Sequence, residues 1–220
     1  MKLELKIPTD LKEISLSKYQ TFLKIASKNT DEIFLKQKMI NIFCGVELSD
    51  VSKMKFNDVN DISNRLDELF KRNYKFTNRF KLGGKEFGFI PNLDDISLAE
   101  YQDLDAYIGD WDNIHKAMAV LYRPIVNKGF GNTYAIESYE GSAKYSDLMK
   151  DCPVEYVLST MVFFYNLGNE LLISTLNYLE NNKEVQNILN KDSSDKNGAG
   201  IVQSMLLLKE TLENLKVSCE

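Results

Sequence analysis

Residues 90–107 read IPNLDDISLAEYQDLDAY, and the chain has already said nearly the same thing at residues 7–25, IPTDLKEISLSKYQTFLKI. Ile14, Ser15, Leu16, Tyr19 and Gln20 recur as Ile96, Ser97, Leu98, Tyr101 and Gln102, each set preceded by an Ile-Pro pair. Ser97 followed three residues on by Glu100 is a capping box, in which serine and glutamate satisfy open amides at the start of a helix. Ser15 is the matching N-cap, and Leu16, Tyr19, Leu23 and Ala26 trace one helical face over 16–27. In the second copy, Tyr101, Leu104 and Ile108 form the stripe, and Ile96, Leu98, Tyr101 and Leu104 are expected to be core or inter-repeat packing.

Working outward, residues 2–7 alternate as KLELKI, the pattern of a half-buried strand that Pro8 ends. Asp31 starts a second helix with Leu35, Met39, Ile42 and Phe43 inward, stopped by Gly45. Ser49-Asp50 caps a short helical segment through Met54. Asn57 is read as the cap of a stronger helix in which Val59, Ile62, Leu66 and Leu69 face inward. Over residues 74–90 the period changes to two, and Gly83-Gly84 is a pair suited to a tight hairpin turn. A lone hairpin is marginal, and the N-terminal strand is its expected third partner. After the repeated stretch, Asp112 starts a helix with Ile114, Ala117, Met118 and Leu121 on one face, and Pro124 closes it.

The order strand, Ile-Pro, Ser-capped helix, Asp-started helix therefore occurs twice. Ser49-Asp50-Val51 with Lys53 resembles Ser146-Asp147-Leu148 with Lys150, and a long amphipathic helix follows each. Chance similarity among common helix caps is the competing explanation. The reading is a mainly α protein with a small antiparallel β-sheet (α+β), built on a duplicated strand–helix–helix unit with long C-terminal helices. The first unit spans 1–75. The hairpin and second unit span 76–190, with a loop insertion at 124–145. A linker at 191–200 and a C-terminal helix at 201–220 complete the chain, and all of it can equally form one compact domain. The last helix either packs on the core or offers its apolar face to another chain.

Composition narrows the function classes. Apolar residues make up 44% and charged residues 27%, ordinary for a globular protein. A net charge of -5 argues against a general nucleic-acid binder. Cys44, Cys152 and Cys219 form neither a disulfide framework nor a metal pattern, and are read as small apolar residues in a reducing compartment. The N-terminus lacks the apolar run of a signal peptide, and the apolar region 154–179 is interrupted by Glu155, Asn166, Asn169, Glu170 and Asn177. No membrane association is expected.

Candidate chemistry is sparse. His115 is the single histidine and is read as a partly exposed structural residue. Asp94, Asp95, Glu100, Asp103, Asp105, Asp110 and Asp112 stand together with no Lys or Arg among them. Oxygen-rich clusters can hold Ca²⁺ or Mg²⁺, but a docking face or a solvated face fits as well. Gly83-Gly84-Lys85 lacks the spacing of a phosphate loop, and Trp111 reads as a packing residue. The 124–145 insertion carries Gly129, Gly131 and Gly141 among aromatics. Long loops in compact domains are usually functional or disordered, and aromatics argue against plain disorder. The candidate partner-binding residues are Phe130, Tyr134, Tyr139, Tyr145, Asp103 and Asp110. No catalytic, cofactor-binding or metal-ligating residue is assigned.

The runs DNIHKAMAVLYRP (112–124) and GFIPNLDDISLAEYQDLDAY (88–107) resemble head and tail morphogenesis proteins of tailed bacteriophages. The N-terminal plan, Ile14 to Tyr19 and then Cys44 to Asp50, resembles phage tail assembly chaperones. The resemblance implies a non-enzymatic protein that acts by protein–protein contact in virion assembly, in the infected host's cytoplasm or the virion. A chaperone would sheathe apolar stretches of the tape-measure protein. The alternative is a structural virion component at the head–tail connector, with portal or tail proteins as partners and an oligomeric state. A metal-dependent enzyme built on the 94–112 acids is the remaining alternative.

Overall fold

The computed structural model describes residues 5–72 and 74–181. The chain divides into two compact units, residues 1–160 and 161–220. The expected linker at 191–200 and helix at 201–220 lie outside the described residues.

The first unit is mainly helical, with a small four-stranded antiparallel sheet. Its first half is a helical layer. A 3-10 turn, Leu11–Glu13, is capped by Asp10 and runs through extended Ile14 and Ser15 into α1, Leu16–Ala26. α2, Glu32–Cys44, starts where the Asp31 carboxylate accepts from the backbone of Ile33 and Phe34, and stops at Gly45, whose φ of 70° is the left-handed C-terminal geometry. α3, Leu48–Val51, is short. α4, Phe56–Phe70, begins two residues earlier than the Asn57 cap implies: Lys55 holds the cap position, with no side-chain bond. Val59, Ile62, Leu66 and Leu69 pack inward on Leu11, Ile14, Ile40 and Phe43, and Val154 closes that core. Tyr19 stacks on Phe70 with ring centroids 5.3 Å apart, and Phe43 meets the same ring at a tilt, 5.4 Å away.

The second half carries the sheet. β1, Arg79–Leu82, and β2, Lys85–Phe89, are joined by Gly83 and Gly84 at φ 54° and 76°, the paired positive angles of a two-residue hairpin turn. A second 3-10 turn, Leu93–Asp95, and extended Ile96 and Ser97 lead into α5, Leu98–Tyr107. α6, Ile114–Leu121, is buried over nearly its whole length and passes directly into β3, Tyr122–Lys128. β4, Tyr134–Ile136, and α7, Ala143–Met149, follow. α8, Val154–Asn181, begins in this unit and continues into the second.

Three expectations are corrected. Residues 5–7 form no strand, and the hairpin's third partner is β3, which pairs Gly88 with Arg123 and Phe89 with Tyr122. The 124–145 insertion is not a loop, since it contains most of β3, all of β4 and the start of α7. Pro124 is tolerated there because it sits where the ladder to β2 ends, one residue before the ladder to β4 begins at Ile125 and Ile136. Finally, Leu98 and Tyr101 are not core: they are 71% and 55% exposed, whereas Leu16 is 0%.

The two faces of the sheet have different chemistry. Phe80, Phe87, Phe89 and Tyr122 gather on one face, with Tyr156 stacked 4.7 Å from Phe80. The buried Tyr122 hydroxyl donates to the Thr77 carbonyl at 2.8 Å. The opposite face holds Arg123 and Ile125 around Gly88, where an added Cβ would lie 2.8 Å from Tyr134 Cδ2 and 3.0 Å from Ile125 Cγ1.

Candidate functional site

A buried polar arrangement joins α5, β3 and residues 137–142. Strand alternation turns Arg123 away from the aromatic face, and the capping box of α5 turns Glu100 inward; both are buried. Arg123 Nη2 donates to Glu100 Oε1 at 2.5 Å. Glu100 Oε2 accepts from the Ser97 backbone N–H at 2.7 Å and from its hydroxyl at 2.6 Å. Burial alone raises the acid constant of Glu100, but the Ser97 bonds and the Arg123 charge outweigh it, so the carboxyl titrates below its ordinary range. The guanidinium also lies 5.5 Å from the centroid of the Tyr139 ring.

Tyr139 in turn donates to Asp103. That bond, with further ones from Ser142, holds Asp103 below the usual carboxylate range. Burial first, and then the Asp103 carboxylate, pushes the Tyr139 phenol up. Two of the expected partner-binding residues, Asp103 and Tyr139, are thus brought together, but as partners of each other. Glu100 and Arg123 were missed as a pair. The capping box is visible in the sequence, whereas the strand that delivers Arg123 depends on its distant pairing with β2.

The other candidates are scattered. Tyr134 lies across β2, its hydroxyl donating to the Phe89 carbonyl at 2.9 Å, with Arg79 over its ring at 5.5 Å. Tyr145 donates to Glu137 and sets its ring edge against Phe87 at 5.5 Å, between the ammonium groups of Lys85 and Lys144. Both tyrosines fasten the sheet. Asp110 serves its own turn, accepting from the Asp112 N–H at 2.9 Å and from Asn113 Nδ2 at 2.6 Å. Phe130 alone is fully exposed, at the tip between β3 and β4.

A shallow cleft opens between the end of α1 and residues 110–112, with Lys24 and Lys28 facing Asp110, Trp111 and Asp112. Its far wall is pinned by Gln20, whose amide donates to the carbonyls of Trp111 at 2.7 Å and Asp112 at 3.1 Å. Trp111 packs edge-on against Tyr19 with centroids 5.5 Å apart, so it is a packing residue. The Gln20 amide also lies 3.2 Å from His115 Nδ1. His115 is buried, not partly exposed, because it sits on the inner side of α6; burial, then Lys150 and Lys116, lower its pKa. Burial raises the Cys44 thiol to about 11, and that of fully buried Cys152 further.

The acids of residues 94–112 diverge: Glu100 points to Arg123, Asp103 to Tyr139, and Asp110 into its own turn. Among the described residues, no three His, Cys, Asp or Glu side chains are grouped to hold a metal ion, and no helix is long and apolar enough to cross a membrane. Comparison with known protein families, curated proteins and solved structures finds no match to this chain.

Proposed function

We propose that this protein acts by protein–protein contact in tailed-phage virion assembly, most like a tail assembly chaperone, and without enzymatic chemistry of its own. The observation that carries the reading is apolar surface displayed on ordered helices. In the second unit, Leu171 and Tyr178 lie exposed one heptad apart on α8, in helical register along one face. In the first unit, Leu98 and Tyr101 lie exposed one turn apart on α5. Such stripes are what helix-in-groove recognition uses, with anchors spaced at helical intervals. A client with apolar stretches, as the resemblance implies for the tape-measure protein, would be held by them until tail polymerisation. The resemblance at residues 1–72 and 88–124 supplies the phage context.

Co-expression with the tape-measure protein tests the reading. The wild-type chain is expected to keep the client soluble and to co-purify with it, and Leu171→Asp/Tyr178→Ser to lose both while melting as the wild type does. A client that precipitates equally with and without the wild-type chain would overturn it.

The second reading, a structural component at the head–tail connector, draws on a different feature: exposed Lys53, Lys55 and Phe56 beside the start of α4, and exposed Asp94, Asp95 and Leu98 beside the start of α5, chemistries that suit repeated self-association. Portal or tail proteins would then be the partners, and the protein would be recovered in purified virions.

A further inference from the structure

The two repeated helix starts have different fates within the chain. In the first, the start of α1 is gripped by the turn that precedes α8. Leu16 N–H donates to the Cys152 carbonyl, Ser17 N–H to the Lys150 carbonyl, and Val154 N–H to the Ile14 carbonyl, each at 2.8 Å. Ser15 and Pro153 form an isolated antiparallel bridge. These bonds fill the amides that any helix leaves open in its first turn, and Leu16 is wholly buried beneath them.

The gripping turn also has a counterpart in the other half. Asp147 and Lys150, three residues apart, form an ion pair at 2.7 Å just before α8; Asp50 and Lys53 do the same at 3.0 Å just before α4. The backbone of the two turns matches as well: Lys53 and Met54 N–H donate to the Asp50 and Val51 carbonyls as Asp151 and Cys152 N–H donate to those of Leu148 and Met149, so Ser52 to Phe56 occupy, in the first half, the place that Lys150 to Val154 occupy in the second.

By this symmetry, residues 52–56 should grip the start of α5 as residues 150–154 grip the start of α1. Within one chain they do not. Among the described residues no backbone bond joins them, Leu98 is 71% exposed, and Phe56 at the head of α4 is 64% exposed. Their charges are complementary: Lys53 and Lys55 stand exposed on one side, Asp94, Asp95 and Asp105 on the other.

We propose that a second copy of this chain makes the missing contact, the turn before α4 of one molecule docking on the start of α5 of the next. Leu98 N–H would donate to the Met54 carbonyl and Ala99 N–H to the Ser52 carbonyl, as Leu16 and Ser17 do to Cys152 and Lys150, and Phe56 and Leu98 would cover each other. The two surfaces differ, so the contact is heterologous, and repetition gives a ring or an open filament according to whether the rotation closes. This inference rests on the repeat, on the exposure of Leu98 and Phe56 and on the charges beside them, and needs no tape-measure client.

Mass photometry and sedimentation of the full chain over a concentration series test it. The wild type is expected to populate oligomers that dissociate with rising salt, as contacts between exposed charges do. Leu98→Lys and Phe56→Asp are each expected to weaken association by about tenfold or more, as loss of an interface anchor does, with melting unchanged because both side chains are exposed. An equimolar mixture of the two variants is decisive. Each keeps one intact surface, so the mixture is expected to form dimers and nothing larger. A wild type that stays monomeric at its highest soluble concentration, oligomers indifferent to both substitutions, or a mixture that remains monomeric would each overturn the proposal.

Discussion

Arg123→Met tests whether the buried polar network holds α5 to the sheet. The substitution retains the apolar stem of Arg123 and removes its charge. Glu100 is left buried, with its Oε1 deprived of the 2.5 Å bond and its Oε2 still served by Ser97. Removing one partner of a buried ion pair costs about 3–5 kcal/mol, because the other charge stays desolvated. The two Ser97 donors place the loss at the lower end, about 3 kcal/mol, and the lost Tyr139 contact contributes within that figure. At roughly 2–4 °C per kcal/mol for a chain of this size, the Tm falls by about 6–12 °C. Pairing the change with Glu100→Gln removes the stranded charge, and glutamine still serves a capping box. The double variant is therefore expected to recover about 2 kcal/mol relative to the sum of the singles, a coupling within the usual range for residues in contact. Thermal and urea melts of the four proteins at neutral pH measure this cycle. A single-variant loss under about 1 kcal/mol, or strict additivity, would refute the reasoning.

Three further outcomes are expected. Gly88→Ala forces a methyl against Tyr134 and Ile125 and costs about 1–3 kcal/mol; adding Tyr134→Ala opens that space, so a urea cycle should show the double losing less than the sum. His115 is held neutral by burial and by Lys150 and Lys116, against the opposing pull of Asp147 and Asp110, with the Gln20 amide at Nδ1. Its folded pKa lies below the unfolded value of about 6.5, so its contribution is full above that pH and is lost as pH falls through the folded pKa; His115→Gln should flatten stability against pH in that window. In a Cys219→Ser background, an aromatic disulfide reagent near pH 8 should label Cys44 slowly and Cys152 only on unfolding, measured by absorbance, since burial raises both thiols.

What the residues reveal on their own is set by the range of the interactions that act on them. Caps and turns are decided within a few residues, so Asp31, Gly45, Gly83-Gly84 and the Ser97–Glu100 box were legible and stand as read. β3 was not. Tyr122 follows Leu121 with no breaker between them, and the strand exists because Gly88 and Phe89, far back in the chain, offer it a ladder. Misreading β3 as loop also hid the candidate network, since Arg123 faces Glu100 only when strand geometry turns it there. The aromatic candidates fared alike for the same reason: Tyr134 and Tyr145 looked free in a loop, and the sheet makes them fasteners.

The repeat shows where local chemistry stops deciding. Asp10 and Asn92 cap equivalent 3-10 turns, Ser15 and Ser97 share extended geometry, and both helices start at leucine. Yet Leu16 is sealed and Leu98 is open, and Gln20 pins Trp111 while Gln102 faces solvent. One exposed leucine is ordinary on any protein surface and would carry no weight. The weight comes from a pattern with three filled corners: a helix start, the turn that grips it, and a second turn of the same design before α4. The fourth corner, the start of α5, is open, apolar and ringed by acids, while the unused turn is open, led by Phe56 and flanked by lysines. A chain in which these two surfaces do not meet satisfies both through its neighbours, closing a ring or leaving one open surface at each end of a filament.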